Sequence, residues 1–143
     1  MPRIELWMTV FAGLSGGLAG VLWGGIVTRA WLVQDTGRGA DVAPAETAWQ
    51  VLAGAALRAM AGAALGFLFW LGWGLIALVG TPWYVVGLLY GTLAWVAVAA
   101  PVLGTLRLHG HGTTRALVAH AAEWLFTCLA VGLLCALAWH RYA

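Results

Sequence analysis

The sequence predicts an all-α membrane protein, a bundle of four transmembrane helices forming a single transmembrane domain over residues 1–143. Three observations predict it. Of the 143 residues, 63% are hydrophobic and only 8% are charged, whereas a soluble domain carries about 25% charged residues. Four apolar runs are each long enough for the ~20 residues that cross a bilayer as a helix. Between them the chain offers only short polar breaks, too small to fold as a soluble domain.

The first span is expected over residues 6–28. Ala12, Gly16, Gly20 and Gly24 recur every fourth residue in it, and Gly13 with Gly17 makes a neighbouring stripe. Small residues at this spacing let another helix backbone approach closely, a main source of association in lipid. Residues 29–47 form the one long polar segment, with Arg29, Asp35, Arg38, Asp41 and Glu46 among Gly37, Gly39 and Pro44; this composition reads as an extramembrane loop. Thr47 is placed to cap the next helix.

The second span, 49–79, is longer than a bilayer requires, so its first turns are interfacial or the helix tilts. Arg58 falls on the same four-residue stripe as Gly54, Gly62 and Gly66. Gly80-Thr81-Pro82 breaks the helix. The third span covers 83–106 with Gly87 and Gly91 four apart, and Pro101 is expected to kink it or mark its exit from the hydrocarbon. A short loop with His109 and His111 follows, then Thr113 or Thr114 as the cap of the fourth span, 115–139.

The two halves can be laid over each other as repeated helical hairpins. A shift of sixty-six residues takes Ala53, Ala55, Ala56, Gly66 and Trp73 onto Ala119, Ala121, Ala122, Gly132 and Trp139, and a shift of seventy-four takes Gly13 and Gly17 onto Gly87 and Gly91. In a chain this rich in Ala and Gly, chance matches are common. The alignment places Arg58 opposite Trp124, one residue from Glu123, and so predicts an Arg58–Glu123 ion pair between spans at matching depth.

Glu123 is the one acid lying inside an apolar run, and a charge at membrane depth is costly enough to need a partner. His120, three residues earlier, shares its helix face. Together with Arg58 they read as a buried charge pair or a proton relay, since histidine titrates near neutrality. Adding His109 and His111 gives an imidazole and carboxylate set suited to a transition metal, although the spacing matches no strong signature. Haem held by two histidines is disfavoured, because only His120 is well inside a span.

Cys128 and Cys135 are seven residues apart on one helix, about 10 Å of rise, which is too far for a disulfide. Of ten tryptophans, Trp7, Trp31, Trp49, Trp83 and Trp139 fall near interfaces as an aromatic belt. Trp23, Trp70, Trp73, Trp95 and Trp124 sit deeper, as helix-packing knobs or as a lipid, quinone or pigment contact.

Net charge is +2, from seven Arg and no Lys, too little and too scattered for nucleic acid. Arg29, Arg38, Arg58, Arg107 and Arg115 lie toward one side, against Arg3 and Arg141 on the other. The all-Arg, Ala- and Gly-rich usage suggests a bacterial gene and hence an inner membrane, and the modest Arg bias then puts both termini in the periplasm. No Ser/His/Asp constellation, phosphate loop or CxxC motif is present, so no catalytic residue is expected. The leading expectation is a non-catalytic accessory subunit packed against other transmembrane subunits. The rival is a small oligomeric transporter or channel that moves protons or a metal ion through His120 and Glu123.

Overall fold

The computed structural model describes residues 6–28, 30, 48–76, 80–108 and 113–142. Every one of these is helical except residues 80–82 and Thr113, and no strand occurs among them. Four helices are long and apolar enough to cross a membrane. Helix α1 is Leu6–Trp23 and runs on through a π turn at Gly24–Thr28. Helix α2 is Ala48–Ile76. The third span comprises α3 (Trp83–Ala94), a π turn at Trp95–Ala99 and α4 (Ala100–Leu108). Helix α5 is Thr114–Tyr142. One face of the molecule, the loop end, collects Thr28, Ala48, Leu108 and Thr114; the terminal end collects Leu6, Ile76, Trp83 and Tyr142.

Local chemistry sets the boundaries. Gly80 adopts φ +83°, which L side chains rarely tolerate. The carbonyl of Pro82 then accepts the N–H of Val85 at 3.0 Å and of Val86 at 3.3 Å, opening α3. Of the two candidate caps for α5, Thr113 takes the role: Ala116 N–H donates to its Oγ1 at 3.2 Å, and Leu117 N–H to its carbonyl at 3.0 Å. Thr47 lies outside the described residues.

The helix continues through Pro101 to Leu108, and the irregularity lies just upstream. Ala100 N–H reaches back five residues to the carbonyl of Trp95. The widened turn ends where a proline ring and a missing N–H would strain a regular ladder.

Helix α5 is the centre of the arrangement. It packs against α1, α3 and α2, while α1 also packs along α2. The buried apolar cluster near the terminal end joins Phe69 of α2, Val86 and Tyr90 of α3, and Val131, Cys135 and Ala136 of α5. Phe69 and Tyr90 meet edge to face at 4.9 Å between ring centroids, a favoured aromatic geometry. Both cysteines are buried free thiols. In α2 the apolar surface faces outward all along, with Trp49, Leu57, Met60 and Leu68 exposed, which suits lipid as solvent.

The glycine stripes of α1 serve two different neighbours. Gly13 and Gly17 face α2. A Cβ at Gly13 would run into the carbonyl of Gly62 and come within 2.9 Å of Gly66 Cα. Gly16, Gly20 and Gly24 face α5, where added carbons would meet Val131, Thr127 and Glu123. Gly54, on the α2 stripe, has no atom of the described residues within 4 Å of a built Cβ.

Some glycine contacts between α1 and α2 resemble those between α3 and α5. Gly17 meets the carbonyl of Arg58 and Ala59 Cα, just as Gly91 meets the carbonyl of Cys128 and Leu129 Cα. Gly62 meets Gly13 O and Gly17 N, just as Gly132 meets Gly87 O and Gly91 N. These equivalences add 74 to α1 numbers and 70 to α2 numbers (58 to 128, 62 to 132).

Candidate functional site

The site forms where α1, α2 and α5 converge toward the loop end. Glu123 lies about 13 Å along α5 from Thr114, nine residues at the helical rise. Its side chain is 3% exposed. Oε1 pairs with Nη1 of Arg58, and Oε2 faces Nδ1 of His120 at 3.3 Å. Gly24 closes over the carboxylate: a Cβ there would collide with Oε1 and stand 2.8 Å from Arg58 Nη1. One turn further along, Thr127 Oγ1 donates to the carbonyl of Glu123 at 2.9 Å, so this buried hydroxyl is satisfied within its own helix.

Arg58 does not reach Glu123 from matching depth. Its backbone lies against Gly17 of α1, and its guanidinium lies beside Gly24. Seven residues of helix, about 10 Å, separate those levels. The arginine therefore runs back toward the loop end, the direction in which helical side chains already lean. Its aliphatic stem stays in apolar surroundings while its charge meets the acid, as in snorkelling. The side chain is 24% exposed.

His120 is the outer member, its side chain 49% exposed. The carboxylate thus has a cation on one oxygen and an imidazole on the other. Toward the terminal end the enclosure passes the buried hydroxyl of Thr127 and reaches the apolar cluster around Tyr90 and Cys135.

The remaining candidates sort as follows. His109 and His111 lie outside the described residues, as do Arg29, Arg38 and Trp31. Among the described residues no three His, Cys, Asp or Glu side chains converge as a metal site; of the four candidate ligands, only His120 and Glu123 are seen together. His140 is twenty residues along α5 from His120, about 30 Å away, so the two share no ligand. Trp23 stacks on Phe126 at 4.4 Å, and Trp95 donates from Nε1 to the carbonyl of Ala121 at 3.0 Å. Those two deep tryptophans are engaged in helix contacts.

Three features were not read from the sequence. Gly24 was visible as one of a stripe, but nothing marked it as the residue against the carboxylate. Gly132, a close contact of Gly87, lacks a glycine four residues away. The π turns carry no residue signature beyond the nearby Pro101. Comparison of the chain with protein-family models, curated proteins and solved structures finds no match.

Proposed function

We propose that the chain is a non-catalytic accessory subunit of a larger membrane complex, and that the Arg58–Glu123–His120 cluster is a clamp holding α1, α2 and α5 together. One observation carries the reading: the deep acid is engaged on both oxygens and enclosed by Gly24. Beyond it, toward the terminal end, lies the tightly filled apolar cluster. The other charged side chains among the described residues, Arg107, Arg115 and Arg141, stand near helix ends. A relay across the membrane needs titratable steps on both sides of Glu123, and a clamp needs none. The corresponding glycine contacts support two repeated hairpins related by an axis along the membrane normal. If the membrane is a bacterial inner membrane, the arginine distribution supports termini in the periplasm.

The alternative is a small oligomeric proton-coupled or metal-ion transporter. What favours it is the half-exposed imidazole of His120 on a buried carboxylate. Two measurements separate the readings. Native mass spectrometry of the tagged full chain, drawn gently from its own membranes, should show a stoichiometric assembly with other transmembrane subunits. Proteoliposomes holding the chain alone should show no pH- or metal-driven flux. Flux by the isolated chain that disappears in Glu123→Gln would reverse the assignment.

A further inference from the structure

The two π turns are fastened differently. That of the third span is pinned: Trp95 donates from Nε1 to the carbonyl of Ala121 on α5 at 3.0 Å, and Ala100 and Pro101 follow at once. That of α1 opens on two adjacent glycines, Gly24 and Gly25. Gly24 is held, with the Glu123 carboxylate and the Arg58 guanidinium against it. Gly25 has no atom of the described residues within 4 Å of a built Cβ, and Gly25, Ile26 and Val27 are all exposed. Packing among the described residues therefore does not ask for a glycine at 25, where alanine would favour a helix. The same turn lies over the loop-end side of the acid. Gly16, Gly20 and Gly24 meet Val131, Thr127 and Glu123 in an antiparallel row. Continued by one turn, the row reaches Ala119 on α5 and the π turn on α1, and α1 and α5 are in contact through that turn. Ala119 is buried, although it lies only five residues from the start of α5.

We propose that residues 25–28 are a lid, hinged at Gly24-Gly25, that controls access from the loop end to the Glu123 carboxylate. A hinge is a few residues at the end of an element that absorb a backbone change, and glycine absorbs it most freely. The held member of the pair anchors the hinge on the cluster, and the open member lets the turn beyond it move. Shut, the lid keeps water from the Arg58–Glu123 pair, and attraction between charges is stronger where water is excluded. Open, it lets the carboxylate hydrate and loosens its hold on Arg58. The lid thus regulates the clamp proposed above, and the inference rests on that reading of the cluster.

The test uses the full chain in bicelles and two readouts that follow the open population. One is hydrogen–deuterium exchange of the backbone amides over residues 24–28. The other is reaction of Glu123 with a membrane-permeant carbodiimide, read by peptide mass spectrometry, with Glu123→Gln as the background. Gly25→Ala adds a methyl group to open space. It should slow both readouts about fivefold, the difference in helix preference between glycine and alanine. Gly104→Ala, equally open but on α4, should change neither. Equal rates in wild type and Gly25→Ala overturn the lid, as does equal slowing by Gly104→Ala. A Glu123 that reacts in no variant until SDS unfolds the chain also overturns the lid and leaves the clamp standing. Additive losses for Arg58→Leu and Glu123→Gln in an unfolding assay would instead remove the clamp.

Discussion

Replacing Arg58 and Glu123 singly and together measures the clamp directly. Arg58→Leu leaves a carboxylate that is 3% exposed with only an imidazole beside it. Breaking a buried pair from this side costs on the order of 3–5 kcal/mol. Glu123→Gln leaves the arginine, which is 24% exposed. That cation can turn to the loop end and be hydrated, so the loss is closer to ~1–3 kcal/mol. The double variant Arg58→Leu/Glu123→Gln buries no net charge and should recover roughly 2 kcal/mol or more relative to the sum of the singles. The assay is reversible unfolding of the full chain in bicelles by added SDS, followed by tryptophan fluorescence. Additivity within ~0.5 kcal/mol refutes the pairing. A larger loss for Glu123→Gln than for Arg58→Leu refutes the burial argument, because it would make the arginine the group that cannot escape.

Other substitutions probe the packing around the clamp. Gly24→Ala places a carbon in the volume of Glu123 Oε1. It should destabilise by about 1–3 kcal/mol, and by less once Glu123 is Ala; equal losses in both backgrounds would remove Gly24 from the site. Thr113→Ala removes the oxygen that accepts Ala116 N–H and should cost about 1 kcal/mol in the same unfolding assay, with Thr114→Ala near neutral. Cys128 and Cys135 are buried against neighbouring helices. Both should resist a membrane-permeant maleimide in the folded protein and react after SDS unfolding, with mass spectrometry counting the adducts; labelling before unfolding would mean that α3 and α1 do not cover α5.

Much of the architecture was legible along the chain because membrane spans are local features. A run of ~20 apolar residues must become a helix in lipid, where no water satisfies its backbone. Gly80-Thr81-Pro82 and Thr113 bound their helices by chemistry confined to a few residues. The same locality made Glu123 and His120 conspicuous: an acid inside an apolar run demands a partner, and three residues of helix bring the histidine beside it. Arg58 was named as that partner through the sixty-six-residue alignment, which sets it opposite Trp124.

Distances across the fold belonged to the tertiary structure alone. Which of the two stripes on α1 faces α2 and which faces α5 depends on how the helix is rotated in the assembly, and nothing within α1 encodes that. Matching depth failed for Arg58 because a long side chain separates the position of a charge from that of its Cα. The contrast between Gly16 and Tyr90 was in plain view in the sequence. It took the packing of α1 on α5, and of α3 on α2, to show that Gly16 lies against Val131 while Tyr90 reaches Leu65 and Phe69.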